Sequence, residues 1–393
     1  MIGIQPAQCA ERVRILYTGE PYPGVTPYVF MKAEPLLIPT PVIASQDYLN
    51  YIFTLKEIKR SVRLYMPRSY DSLVGSYNVI ILSDSNVASF TASHLKWFRE
   101  SVHDDGLGLA MVGGHETFGT LGSHADWGQT PVGEVLPVET LVGRIGGGRV
   151  TILGEDNVFI DSIPWRSNLP FLQLYYCNIV LPKEGSDTLA IDMIQTGDNQ
   201  GWENPFFSTW VHGKGRTFAF TGDWQFGWGA EFIRWEYAPD FAINLMLYLA
   251  GRKLPEDLDL VHTLRSRLAT LSYRRSIMES MIAFVEKFGA NPRVINEATA
   301  EVDDAGNRAI DLYLEVEFVE ALSAVNEALN LMDRAEEVAD RVKGNALIWI
   351  YITEWLVTTA TVMFCGFVLW TLMVRRRLYS EVSTTRLGRY GNR

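Results

Sequence analysis

The chain has 393 residues, 47% hydrophobic and 21% charged, with a formal net charge of −11. That length suffices for one large domain or two modest ones with a sizeable core. The acidic balance, with no basic face in the globular part, argues against nucleic acid as a partner, and the three cysteines, Cys9, Cys177 and Cys365, supply neither a disulfide framework nor a cysteine metal cluster.

Val13 to Tyr17 (VRILY) is a short apolar run ahead of Gly19 and predicts a first strand. The segment that follows carries Pro21, Pro23, Pro27, Pro35, Pro39 and Pro41 and reads as a loop. Residues 46–59 place Tyr48, Ile52, Leu55 and Ile58 on one helical stripe, and Ser61 to Met66 reads as a second strand. Tyr77 to Leu82 (YNVIIL) is a third, whose unbroken apolar character suits burial on both faces. Thr91 to His103 predicts an amphipathic helix with Leu95, Phe98 and Val102 on its inner side. Leu107 to Val112 is a fourth strand, running into Gly113 and Gly114. This alternation is the pattern of a doubly wound parallel α/β sheet. Further strands are predicted at Arg149 to Leu153, Leu189 to Gln195, Phe207 to Val211 and Arg216 to Phe220, the last two joined by a hairpin turn at HGKGR. A helix over Pro239 to Leu249 ends at Gly251.

The next region is helical. Leu260, Leu264, Leu268 and Leu271 keep helical spacing, as do Met278, Ile282 and Val285. The pattern breaks around Asn291 and Pro292, with Asp303, Asp304 and Gly306. A second helix then carries Leu314, Phe318, Leu322, Val325, Leu329 and Met332 as a stripe, with carboxylates opposite. Two such helices form a hairpin or self-associating stalk, or pack on the main domain. The second runs through Gly344 into Leu347 to Val374, which holds one ionisable group, Glu354. About 20 apolar residues span a bilayer core. Trp355 and Trp370 sit where aromatic belts favour the interface, and Arg375, Arg376 and Arg377 stop the span. Glu354 lies near the helix start, an interfacial or helix-contact position, and Gly366 leaves room for another span.

The expected organisation is an α/β domain over 1–252, a helical hairpin or stalk over 253–345, a transmembrane helix over 346–374 and a basic tail over 375–393. The tail arginines suit anionic headgroups. Counting Lys and Arg puts the tail in the cytoplasm and the domain outside. The opening residues, MIGIQPAQCAERVRILYTG, show no basic-then-apolar leader: either a leader has been removed or the gene start is misassigned, or, as the alternative, the domain is cytoplasmic and the charge rule fails.

Two segments, LGLAMVGGHETFG with TPVGEVLPV (Leu107 to Gly119, Thr130 to Val138) and GKGRTFAFTGD (Gly213 to Asp223), together with YNVIILSDSNVASF, resemble the class I glutamine amidotransferase-like superfamily. The likeness is to its uncharacterised amidotransferase and trehalose-utilisation-like branch and covers roughly residues 11–251. It implies a flavodoxin-like sheet. The stalk, span and LMVRRRLY tail also resemble membrane-anchored prokaryotic, archaeal-type proteins.

A glutaminase of that superfamily needs a cysteine on the sharp turn after the central strand, a histidine to move protons, and backbone amides for the oxyanion. Here the turn falls at Gly113, Gly114 and His115, with no cysteine, and His212 and Asp223 give no clear match to the expected histidine and carboxylate. The departure argues against glutamine hydrolysis. Around the strand ends, Asp84, Ser85, Gly113, Gly114, His115, Glu116, Thr117, Asp223 and Trp224 are placed to line a crevice for a small molecule, peptide or sugar. The plainer alternative is that the glycine pair makes a tight turn while His115 and Glu116 satisfy backbone groups. A metal at His115, Glu116 and His124 fits no familiar ligand spacing, and no cofactor is called for. Trp202, Phe206, Phe207, Trp210, Trp224, Phe226, Trp228, Phe232, Trp235 and Tyr237 form either a binding surface or core. The expectation is a non-catalytic, membrane-anchored module that binds a protein partner or a second copy of itself, against an alternative hydrolase built on His115 and a water activated by Glu116.

Overall fold

A computed structural model describes residues 11–19, 26–44, 54–119, 126–146, 148–154, 156–165, 176–194, 200–225, 227–287 and 291–387. The elements run β1 (Val13–Gly19), α1 (Tyr28–Ala33), β2 (Leu37–Ile43), α2 (Leu55–Tyr65), α3 (Tyr70–Ser76), β3 (Val79–Ser83), α4 (Ala92–His103), β4 (Gly108–Val112), α5 (Pro131–Val135), β5 (Val138–Ile145), β6 (Gly148–Ile152), α6 (Val158–Asp161), β7 (Cys177–Pro182), β8 (Asp187–Ile194), β9 (Glu203–His212) and β10 (Gly215–Phe220). Helices α7 (Ala230–Arg234), α8 (Ala238–Leu249), α9 (Leu258–Lys287), α10 (Arg293–Leu314) and α11 (Phe318–Leu387) follow.

Among the described residues the main sheet has eight strands in the order β2-β1-β3-β4-β10-β9-β8-β6, and β5 pairs with β7 in a second, two-stranded sheet. The first five are parallel and the outer three antiparallel. The parallel part has the flavodoxin-like order, with β10 as its fifth strand. Period-2 alternation divides each central strand between two cores. Val79 and Ile81 of β3, Ala110 and Val112 of β4, and Phe218 and Phe220 of β10 join α8 in one core. Ile80, Leu82, Leu109, Met111 and Ala219 join α4 and α5 in the other. That two-sided burial is why these strands read as unbroken apolar runs. The hairpin between β9 and β10 is antiparallel, His212 pairing with Gly215, as HGKGR predicts.

Three expectations are corrected. The proline-rich segment holds an edge strand, β2, paired in parallel with β1 along its whole length. Ala44 donates its N–H to the Gly19 carbonyl at 3.0 Å. Residues of the other parity, Pro39 and Pro41 among them, have their nitrogens on the side where no donor is needed. Ser61 to Met66 is the end of α2 rather than a strand. Thr54 and Glu57 form a reciprocal capping box that starts this helix, and Ser61 Oγ accepts the Ile43 N–H at 3.0 Å. Of the expected helix over 46–59, residues 46–53 lie outside the described residues. Finally, the helical region contains three helices among the described residues. Asp303, Asp304 and Gly306 lie inside α10, and the stripe from Leu314 to Met332 is interrupted at Val316.

That interruption is a closed helix end. Glu317 N–H bonds Leu312 O at 3.0 Å and Val316 N–H bonds Tyr313 O at 3.1 Å, with Val316 at φ 66°. Helix α8 ends in the same way, Arg252 N–H to Leu247 O and Gly251 N–H to Tyr248 O, but with Gly251 at φ 67°. Glycine is the usual residue for this left-handed position; a β-branched side chain there is strained.

Two compact units emerge. The first comprises residues 1–269 and 308–325, the second 270–307 and 326–393. In the first, Arg265 of α9 is buried with Glu34, Asp240, Asn244 and Tyr313. Its Nη1 donates to Asp240 at 2.8 Å and Asn244 at 3.0 Å, its Nε donates to the Tyr313 hydroxyl at 3.1 Å, and Glu34 lies 3.4 Å away. Burial pushes the Glu34 carboxyl up, against the pull of Arg265. In the second unit, Leu271, Met278 and Val285 recur at heptad spacing and are buried, as are Met332, Ala335 and Ala339. Arg274 forks onto Glu336 at 2.8 and 2.7 Å, and Arg275 onto Asp303 at 2.6 and 2.9 Å. Helix α11 contains a stretch long and apolar enough to cross a membrane, none of it buried, with Trp355 73% and Trp370 58% exposed.

Candidate functional site

The carboxyl ends of β1, β3, β4 and β10 bring most of the sequence-predicted polar residues to one end of the sheet. Asp84, at φ 44°, follows β3. Its Oδ1 accepts the Glu116 N–H at 2.7 Å, tying the β3 loop to the turn after β4. Gly114 packs directly on that carboxylate, since a Cβ there would meet Asp84 Cγ at 2.3 Å. A Cβ on Gly113 would meet the carbonyls of Gly222 and Thr221 at 2.4 Å. Close backbone approach therefore requires both glycines.

Two residues that sequence reading passed over complete the clamp. Asn178 on β7 accepts the Gly114 N–H and donates Nδ2–H to the Gly114 carbonyl, both at 3.0 Å, as a paired strand would. The Trp127 indole N–H is shared between the carbonyls of Ser85 and Glu116, both at 3.0 Å. Thr117 Oγ1 closes back onto the Val112 carbonyl at 2.9 Å. Asn178 had no signal in the sequence, because its strand was not predicted.

The hydroxyls beside the turn are engaged within the protein. Ser83 Oγ accepts from the Trp224 indole at 2.8 Å and from Tyr17 at 3.2 Å, while Thr18 meets Ser85 at 3.1 Å. Asp223 Oδ1 accepts the Gln225 N–H at 2.9 Å. Asp84, Ser85, Glu116, Thr117, Asp223 and Trp224 are all buried, Glu116 with 1% exposure. His115 is only half-buried, its ring centroid 5.0 Å from that of Trp228. Burial and the neighbouring Arg144 hold its imidazole below the usual pKa, so it is neutral at neutral pH.

Cys177 lies in β7, fully buried, its Sγ donating to Asp192 Oδ2 at 3.4 Å. Burial and the Asp192 charge push its pKa well up, the opposite of what a thiolate nucleophile needs. His212 stands at the far end of β9, against Trp210 and His103. His124 of the metal reading and Cys9 lie outside the described residues; among those described, no group of three His, Cys, Asp or Glu side chains is placed to hold a metal. Of the aromatic residues, Phe206, Phe207, Trp224, Trp228, Phe232 and Trp235 are buried. Rings of Phe206, Phe207, Phe220, Phe232 and Phe241 stack at 4.5–5.9 Å and make core. Phe226 lies outside the described residues.

A model of the family described as "Putative glutamine amidotransferase" matches residues 62–251. The match begins inside α2, yet β1 and β2 are hydrogen-bonded into the same sheet. No curated protein matches the chain. Among solved structures, the chain is similar to the cytoplasmic protein STM1381 from Salmonella typhimurium LT2, with 20% identity over 60% of this chain and 99% of that one and a TM-score of 0.46. It is similar to the cytoplasmic protein STM3548 from Salmonella typhimurium at 18% identity, with the same coverage and a TM-score of 0.46. A β-galactosidase from Rahnella sp. R3 is similar at 12% identity, over 63% of this chain and 32% of that one, with a TM-score of 0.35. Residues 62–251, which include the glycine-pair turn after β4, are thus similar to the glutamine amidotransferase-like family whose model they match.

Proposed function

We propose that this chain is a non-catalytic amidotransferase-like module, anchored to a membrane by α11, that acts by binding or assembly in the cell envelope or a membrane complex. One observation carries the reading. The turn that bears the nucleophile in this family carries His115, and the nearby thiol, Cys177, is buried and held protonated. The polar groups of the turn hold its shape instead. The hydrolytic alternative needs Glu116 to reach a water, and at 1% exposure its side chain is not so placed. Anchoring is supported by the apolar stretch of α11, with Trp355 and Trp370 at its ends and Arg375, Arg376 and Arg377 beyond. The Lys and Arg bias orients the tail to the cytoplasm and the domain outside.

The purified full chain in detergent, incubated with glutamine, should release no ammonia above a protein-free control. Release that disappears in Cys177→Ser would overturn the reading. Crosslinking in intact membranes should trap a stoichiometric partner or a second copy; a chain that stays monomeric and alone would count against assembly. An epitope near Pro23 should be cleaved by protease in intact cells, and protection until lysis would reverse the orientation.

A further inference from the structure

Arg144, at the end of β5 beside the turn after β4, has no acid partner among the described residues. Strand β5 pairs with β7 as Thr140 to Val180 and then Arg144 to Asn178, so Leu141, Val142 and Gly143 bulge opposite the single residue Ile179. Gly143 sits at φ 114° within that bulge. The Leu141 carbonyl lies so close to Gly119 that a Cβ there would be 2.1 Å from it. The bulge is thus pressed against the segment that leaves the turn. Bulges of this kind re-aim a side chain beside a site. Here the re-aimed residue is Arg144, directly across from Asn178, the residue that clamps Gly114.

The guanidinium lies over the Tyr176 ring at 3.9 Å and 5.8 Å from the Trp228 ring centroid. Trp228 in turn meets His115. Stacking on a ring uses the face of the guanidinium and leaves its in-plane N–H groups directed outward. Among the described residues no carboxylate pairs with Arg144, in contrast to Arg265, Arg274 and Arg275. A fork of N–H donors with this orientation matches an oxyanion bidentately.

The surroundings select among oxyanions. Arg144 is the cation that acts on His115 among the described residues, and the His115 imidazole is neutral. Asp84, Glu116 and Asp223 are buried just beyond the carboxyl ends of β3, β4 and β10, so a dianion bound there would meet more repulsion than a monoanion. Val142 at 64%, Leu141 at 37% and Tyr176 at 37% exposure give the seat an apolar rim. We propose that Arg144, braced on Tyr176 beside His115 and Trp228, receives the carboxylate of a small monocarboxylate ligand that carries an apolar group. This deepens the binding reading above and rests on it.

The test is titration calorimetry on the full chain in detergent with butyrate, its uncharged isostere butyramide, and inorganic phosphate. Butyrate should bind saturably and at least tenfold more tightly than butyramide or phosphate. Arg144→Gln should erase the preference, and Arg144→Lys, which keeps the charge but loses the fork, should restore only part of it. Because Arg144 is exposed, thermal melting should be unchanged in both variants. Equal binding of butyramide, tighter binding of phosphate, undiminished butyrate binding by Arg144→Gln, or no saturation at all would each overturn the seat. Ammonia release from glutamine is measured in the same samples. Turnover would defeat the non-catalytic reading alone, whereas butyrate failure without turnover would defeat the seat alone.

Discussion

Two arginine environments in the first unit contrast. Arg265 is 7% exposed and enclosed by Asp240, Glu34, Asn244 and the Tyr313 hydroxyl. Arg144 is exposed and touches only ring faces among the described contacts. The first knits α8, α9 and α10 and the chain after α1 into one unit, because a charge taken out of water must be matched at once by opposite charge and hydrogen bonds. The second keeps its water, so nothing in folding demands a partner for it. A buried and compensated charge reports architecture; an exposed one braced on ring faces is free to serve the ligand seat proposed above.

The largest effect tests the architectural half of the contrast. Arg265→Ala should destabilise the first unit by about 3–5 kcal/mol, since it leaves Asp240 and Glu34 buried without their cation. Denaturant unfolding of the full chain in detergent measures it, and a loss below about 1 kcal/mol would show that water replaces the guanidinium. Next, Gly114→Ala should cost about 2 kcal/mol or more, because the new methyl group collides with the Asp84 carboxylate at a φ of 148°. If that variant melts with the parent, the turn is softer than its packing implies. Val316→Gly should gain about 1 kcal/mol by relieving the left-handed valine at the end of α10. No gain in melting would mean that Val316 contributes packing of equal worth.

A smaller effect lies in pH. Burial raises the pKa of Asp192, whose buried Oδ1 has no hydrogen-bond partner among the described residues. The unfolded carboxyl then loses its proton first as pH rises, so the folded state binds more protons in that window. Stability from this group is full below the ordinary Asp value and declines as pH rises through the raised one. Asp192→Asn should flatten the melting profile as pH rises above the ordinary Asp value and be at least as stable as the parent at pH 7. An unchanged slope would show that the folded carboxylate is already ionised there.

The parts of the fold legible in the sequence are those where local pattern and burial agree. YNVIIL marked β3 because its residues feed two cores alternately, and Gly251 marked the end of α8 because its left-handed φ suits glycine. Strand β2 was hidden by Pro39 and Pro41, which only an edge position makes harmless. The end of α2 looked like a strand because Val62, Leu64 and Tyr65 suit either structure, and the capping box at Thr54 decided the matter. The breaks near Asn291 and at Val316 differ for a similar reason. The first has Pro292 to announce it, while the second uses a valine where glycine is usual.

The sequence by itself determined the apolar stretch of α11, the alternating α/β core, and the absence of a cysteine from the turn after β4, because each is written in consecutive residues. Only the tertiary structure decided what the polar residues do. Asp84, Asn178 and Trp127 meet at one turn from three places in the chain, and Arg265 of α9 joins Asp240 of α8 to Tyr313 of α10. The physical reason is that hydrogen-bond partners and buried charges are matched through space, with no periodicity along the chain to announce them.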